Sequence, residues 1–217
     1  VSPSWTFRDR YSAPGGLSMD EYVQDTGELV LVAIAFRGTG GWTAVDDNLT
    51  NASWFVGAIN PWDQYRAARE QVVKWRNDAK TLVAGRNYAF VAVGHSLGGG
   101  LARHVAAAFP CTAAVVFDSS PVTDEFELAR PFAHQEVQLY DKNDPLSHLA
   151  DFLFERNDNQ VSDRFQYYGL NPIEGSAGQH GMTAFATSMS REAICAIQTC
   201  LWGNHLCPIS KESRRGD

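Results

Sequence analysis

The chain is short of basic charge. Its 18 Lys and Arg residues stand against 25 Asp and Glu, a formal net charge of −7. No Lys/Arg cluster or aromatic-basic motif offsets that deficit, which argues against nucleic acid as a partner and against a strong electrostatic pull onto anionic lipid. Transient hydrophobic contact with a lipid surface stays open. Long apolar runs are missing too: Leu29–Phe36 is only of strand length, so no transmembrane segment is expected. No signal peptide is visible, and the chain opens on Val1 rather than Met, which fits either a cleaved mature form or a domain of a longer protein. The four cysteines, Cys111, Cys195, Cys200 and Cys207, contain no C-x-x-C pair, so zinc is not expected. They allow three full disulfide pairings, and spacing does not choose among them, although Cys200 and Cys207 are close enough to bridge the end of the last helix to the tail. Repeats, low-complexity tracts and convincing domain boundaries are absent, and 217 residues suit one domain with a sizeable core.

Apolar patterning then gives an order of elements. Residues Val1–Gly27 show little periodicity. Glu28–Phe36 reads as a central strand, Trp62–Lys80 as an amphipathic helix with apolar Tyr65, Val72, Val73 and Trp75 and charges between them, and Tyr88–Val93 as a buried strand. Leu101–Phe109 reads as a helix, Ala113–Phe117 and Glu136–Tyr140 as strands, Thr123–Ala129 as a short helix, Asn157–Gly181 as loop and Met182–Leu201 as the last helix. Strands alternating with helices predict an α/β fold: a mostly parallel central sheet with helices on both faces, its active site at the C-terminal strand ends. Two glycosylation triplets, Asn48-Leu49-Thr50 and Asn51-Ala52-Ser53, matter only in a eukaryotic secretory setting.

The most informative segment is Gly94-His95-Ser96-Leu97-Gly98, between the strand ending at Val93 and the following helix. A serine at so sharp a strand-to-helix corner is forced into a strained backbone with its hydroxyl pushed outward, and the glycines prevent collisions across the bend. Such a serine needs a base, and the base needs an orienting carboxylate. On this architecture the expected chain order is Ser, acid, His. Among the histidines after Ser96, His104 sits on the elbow helix and suits packing or surface, His134 precedes the best acid candidate, and His148 is close to it. His180, in the flexible run Gly175–Gly181, is the preferred base, with His205 as the alternative. Asp144, just after the strand ending at Tyr140, is the preferred acid, with Asp118 and Asp141 as alternatives. An oxyanion needs preorganised donors: the Leu97 N–H, and the loop Phe36-Arg37-Gly38-Thr39-Gly40-Gly41 with Thr39.

Together, Phe36-Arg37-Gly38-Thr39, Asp47-Asn48-Leu49, Gly94-His95-Ser96-Leu97-Gly98-Gly99 and Asn143-Asp144-Pro145-Leu146 resemble the class 3 (fungal-type) lipases of the α/β-hydrolase fold. The resemblance runs from about Glu28 to His180, and the wording of 44–49 and 98–102 looks bacterial. It implies a serine hydrolase of lipid carboxylic esters, with Ser96, Asp144 and His180 as triad, Thr39 and Leu97 at the oxyanion, and no metal or organic cofactor. It also implies a secreted or periplasmic setting and, in 41–60 with Trp42, Trp54 and Phe55, either a lid or core aromatics. Some bacterial members are phospholipases delivered as toxins; that alternative brings an immunity protein as partner. A catalytically dead binding module is the remaining alternative. The chain departs from the family in its short N-terminal region, its Cys-bearing tail, and Asp118-Ser119-Ser120-Pro121 where the family has a glycine-containing turn.

Overall fold

A computed structural model of the chain describes residues 4–13, 16–38, 61–83, 85–120, 135–141 and 161–167. Seven strands form one sheet in chain order: β1 (Thr6–Ser12), β2 (Ser18–Asp25), β3 (Leu29–Phe36), β4 (Asn87–His95), β5 (Thr112–Phe117), β6 (Gln135–Asp141) and β7 (Val161–Tyr167). Strands β1 to β3 pair antiparallel, and β3 to β7 run parallel. Helix α1 (Pro61–Val83) links β3 to β4, and helix α2 (Leu97–Ala108) links β4 to β5.

Strands β3 to β5 read as near-continuous apolar runs because both sheet faces are buried. One face carries Val30, Val32, Ile34, Phe36, Tyr88, Phe90, Ala92, Ala114 and Val116, and both helices pack on it. Two crossovers of constant hand that step the same way along a sheet must lie on the same face. Helix α1 buries Tyr65, Ala68, Val72, Trp75, Ala79 and Val83, a stripe at three- and four-residue spacing. Helix α2 buries Leu101, Ala102, Val105 and Ala106, small enough to sit close to the strands. The other face is a second apolar layer of Ala33, Val91, Ala113, Val115, Val137 and Leu139.

Two expectations change, and one apolar residue of α1 lies off its buried stripe. Residues 1–27 hold a hairpin rather than an unpatterned lead-in, because β2 buries Glu21 and Gln24 where an apolar residue would signal a strand, and β1 is an exposed edge interrupted by a bulge between Phe7 and Asp9. Within the expected 157–181 loop lies β7, paired to β6 from Gln135↔Val161 to Asp141↔Tyr167. Val73 points outward, since Val72 and Trp75 already occupy the buried stripe. The expected helices 123–129 and 182–201 lie outside the described residues.

Candidate active site

Ser96 stands between β4 and α2 with φ 56° and ψ −127°. A non-glycine residue in such a conformation costs about 1–3 kcal/mol and persists only where its surroundings over-determine it. Here they do. The Ser96 N–H donates to the Phe117 carbonyl at 3.1 Å, while the Ser96 carbonyl accepts from Gly99 N–H at 2.9 Å, Ser120 N–H at 3.0 Å and Gly100 N–H at 3.3 Å. The corner is held by its own helix and by the turn that follows β5.

The glycines are steric necessities. A Cβ on Gly94 would run into the Gly98 carbonyl, and one on Gly98 into the Phe36 carbonyl. Gly99 and Gly100 open a notch for the β5 turn: a Cβ on Gly99 would lie 2.8 Å from Ser119 Cβ, and one on Gly100 2.6 Å from Ser120 Oγ. A Cβ on Gly38 would sit 2.8 Å from the His95 carbonyl and 3.5 Å from Ser96 Cβ, so the loop leaving β3 arrives directly against the elbow.

Ser96 is 2% exposed, and its Oγ has no hydrogen-bond partner among the described residues. Leu97 opens α2, so its N–H is among the first four helix donors, which have no acceptor within the helix. It lies at the positive end of the helix dipole, one residue from the serine hydroxyl. An elbow serine, an adjacent helix-terminal N–H and a close-packed preceding loop form an arrangement compatible with nucleophilic attack and oxyanion capture.

Sheet register aligns the other candidate positions. Phe36 pairs with Gly94, Gly94 with Val116, and Val116 with Gln138. Just past the C-terminal ends of β3, β4 and β5 come Gly38, Ser96 and Asp118: Gly38 stands against Ser96 Cβ, Ser96 N–H bonds Phe117 at the end of β5, and Asp118 N–H bonds Leu139, one residue before Tyr140 on β6. Asp118 is buried, has φ 40° and donates its N–H to the Leu139 carbonyl at 2.9 Å. Thr39, Asp144 and His180 lie outside the described residues, as do His134, His148 and His205. Among the described residues, no group of three or more His, Cys, Asp or Glu could hold a metal ion.

His104 has the packing role expected of it. It is fully buried on α2, its ring 4.7 Å from that of Tyr65 and its Nε2 2.8 Å from Arg69 Nη1. Guanidinium nitrogens only donate, so Nε2 accepts and the imidazole is neutral. Burial, then the Arg69 charge, pushes its pKa down to about 3. Sequence reasoning did not foresee Ser119 and Ser120 as the turn that clamps the elbow. The run Gly98-Gly99-Gly100 was the available signal, since three successive glycines imply something packed closely above them.

The family model of the Tle-like phospholipase domain matches residues 9–144. The chain belongs to this family. The match takes in Thr39, Ser96 and Asp144 and stops short of His180. With the crossovers and the elbow, the sheet of this Tle-like domain is the α/β-hydrolase fold. No curated protein matches the chain. Among solved structures it is similar to a triacylglycerol lipase from Penicillium expansum (17% identity, 77% of this chain and 71% of that one, TM-score 0.46). A lipase from Rhizopus microsporus var. chinensis matches at 12% identity, over 67% of this chain and 56% of that one, with TM-score 0.39. A dienelactone hydrolase from Anabaena variabilis matches at 12% identity, over 95% of this chain and 100% of that one, with TM-score 0.47.

Proposed function

We propose that this Tle-like domain is a serine hydrolase that cleaves the carboxylic esters of phospholipids through an acyl-enzyme. The observation that carries the reading is the strained Ser96 corner, with the loop residue Gly38 packed against it. The family match favours a phospholipid over a triacylglycerol or a simple carboxylic ester. The resemblance to class 3 lipases supplies the remaining roles. Ser96 Oγ attacks the ester carbonyl carbon as His180 takes its proton. Asp144 orients the imidazole, and the Leu97 N–H and Thr39 hold the oxyanion. The tetrahedral species collapses, His180 returns the proton to the leaving alcohol, and water deprotonated by His180 then releases the fatty acid and regenerates Ser96. No metal or organic cofactor enters these steps.

Cys111 is disulfide-bonded, which supports a secreted or periplasmic working compartment. Delivery there as an antibacterial effector, with an immunity protein as partner in the producing cell, is part of the same proposal.

The test is hydrolysis of an acyl ester series from short to long chains, a triacylglycerol and a diacyl phospholipid, with Ser96→Ala beside the parent. Phospholipid cleavage that disappears in Ser96→Ala is the expected result. Activity confined to triacylglycerol or short soluble esters replaces the substrate class. Activity that survives Ser96→Ala sinks the serine mechanism, and inactivity of the parent returns the domain to a binding role.

A further inference from the structure

The elbow helix is tied to the strand that leads to the acid by an ion pair with almost no access to water. Arg103 Nε on α2 donates to Glu136 Oε1 on β6 at 2.5 Å, with the Glu136 side chain fully buried and that of Arg103 15% exposed. Gln138 Nε2 donates to the same oxygen at 2.5 Å. Other ion pairs among the described residues, Arg10–Asp20, Arg66–Glu70 and Arg86–Asp25, all have at least one markedly exposed member.

Burying two charges is poor economy for stability, since an apolar pair of equal volume often does as well; the better-attested use of such a pair is to fix one register. Its placement says which register. Arg103 follows Ser96 by two helical turns on α2, and Glu136 lies three residues before Leu139, whose partner Phe117 accepts from the Ser96 N–H. No covalent or strand-pairing contact joins α2 to β6, because β5 lies between β4 and β6. The Arg103 Nε–H and the Gln138 amide, both donating to one Glu136 oxygen, set how far β6 sits along the axis of α2.

We infer that Arg103 and Glu136 are positioning residues for the hydrolytic reaction: their buried pair holds the strand that leads to the acid in register with the helix that follows the nucleophile. The inference rests on the proposed function, with Asp144 as acid.

The experiment compares the parent with Glu136→Gln, Arg103→Lys and the double variant Arg103→Met/Glu136→Leu. Turnover of a soluble short-chain p-nitrophenyl ester is expressed per Ser96 titratable by a small phosphonate, so that a poorly folding variant is still read per competent molecule. The pH profile of kcat/KM is recorded for each. Positioning predicts kcat down at least tenfold with KM within about twofold, in the double variant as well as the singles. It also predicts a lower pKa on the acidic limb of kcat/KM, because a displaced carboxylate no longer stabilises the imidazolium. A double variant with the parent's kcat and limb overturns the inference and leaves the pair a structural contact. Failure of the proposed function looks different: the parent itself then shows no Ser96-dependent turnover or labelling, and the inference falls with it.

Discussion

Glu21 and His104 carry opposite pH dependences, and removing one should expose the other. Glu21 lies on β2 opposite Ile34, 4% exposed, with Oε1 unpartnered among the described residues. Burial, opposed by Arg8 and reinforced by Asp9 and Asp78, raises its pKa from 4.5 to about 7. An acid with a raised folded pKa contributes its full stability below the unfolded value and loses it as pH climbs to the folded one. His104, lowered from 6.5 to about 3, does the reverse: its contribution is complete above 6.5 and is lost as pH falls toward 3. Each slope is about 1.4 kcal/mol per pH unit. Between pH 4.5 and 6.5 they cancel, so these two groups leave the parent flat there. Glu21→Gln keeps the shape and deletes the ionisation. Relative to the parent it should gain nothing from this source at pH 4 and about 3 kcal/mol at pH 8. Urea unfolding of both proteins at pH 4, 5.5 and 8 measures the difference, and titrations common to both cancel. A stability difference that does not change with pH would show that Glu21 ionises in the fold as it does in the unfolded chain, and the reasoning would fail.

Gly38→Ala forces a Cβ to within 2.8 Å of the His95 carbonyl, so the loop must lift from the elbow; kcat should fall about 10- to 100-fold, measured on a soluble ester, while the melting temperature moves only a few degrees. Gly98→Ala drives a Cβ into the Phe36 carbonyl and should both destabilise the fold by about 1–3 kcal/mol and abolish phosphonate labelling of Ser96. A cross-link from Cys111 to any of Cys195, Cys200 or Cys207 closes a loop of about 90 residues, so reduction by dithiothreitol should cost about 4–5 kcal/mol in urea unfolding. Unchanged unfolding after complete reduction would count against a structural bond. Thr39→Ala should lower kcat with KM nearly unchanged, because an oxyanion donor acts in the transition state; a pure KM effect would remove Thr39 from that role.

Local chemistry made part of this domain legible from sequence. The apolar runs of β3, β4 and β5 are buried on both faces, so composition alone marks them. Gly94, Gly98 and Ser96 announce the elbow because only that residue pattern fits so tight a corner, and the contacts of Gly94 and Gly98 bear this out. The stripe of α1 is readable from its spacing, except that Val73 falls one step off the buried line. Other features had no local signature. The hairpin hides because Glu21 and Gln24 occupy inward positions, and a polar residue inside is tolerated only by what packs over it. The strand β7 exists by pairing with β6, not by its own pattern. Sequence could place His104 on α2, but its neutral state depends on its burial there and then on Arg69 reaching it from α1, thirty-five positions earlier.

What the sequence by itself determined is the strained Ser96 corner, because a strand-to-helix elbow is specified within five consecutive residues. What only the tertiary structure decided is which distant residues meet that corner. The meeting of Gly38 with Ser96 and of Asp118 with Leu139, the clamp of Ser120 on the Ser96 carbonyl, and the tie from Arg103 to Glu136 follow from strand order and register. Those are set by which faces can be buried together, a property of the whole sheet rather than of any segment in it.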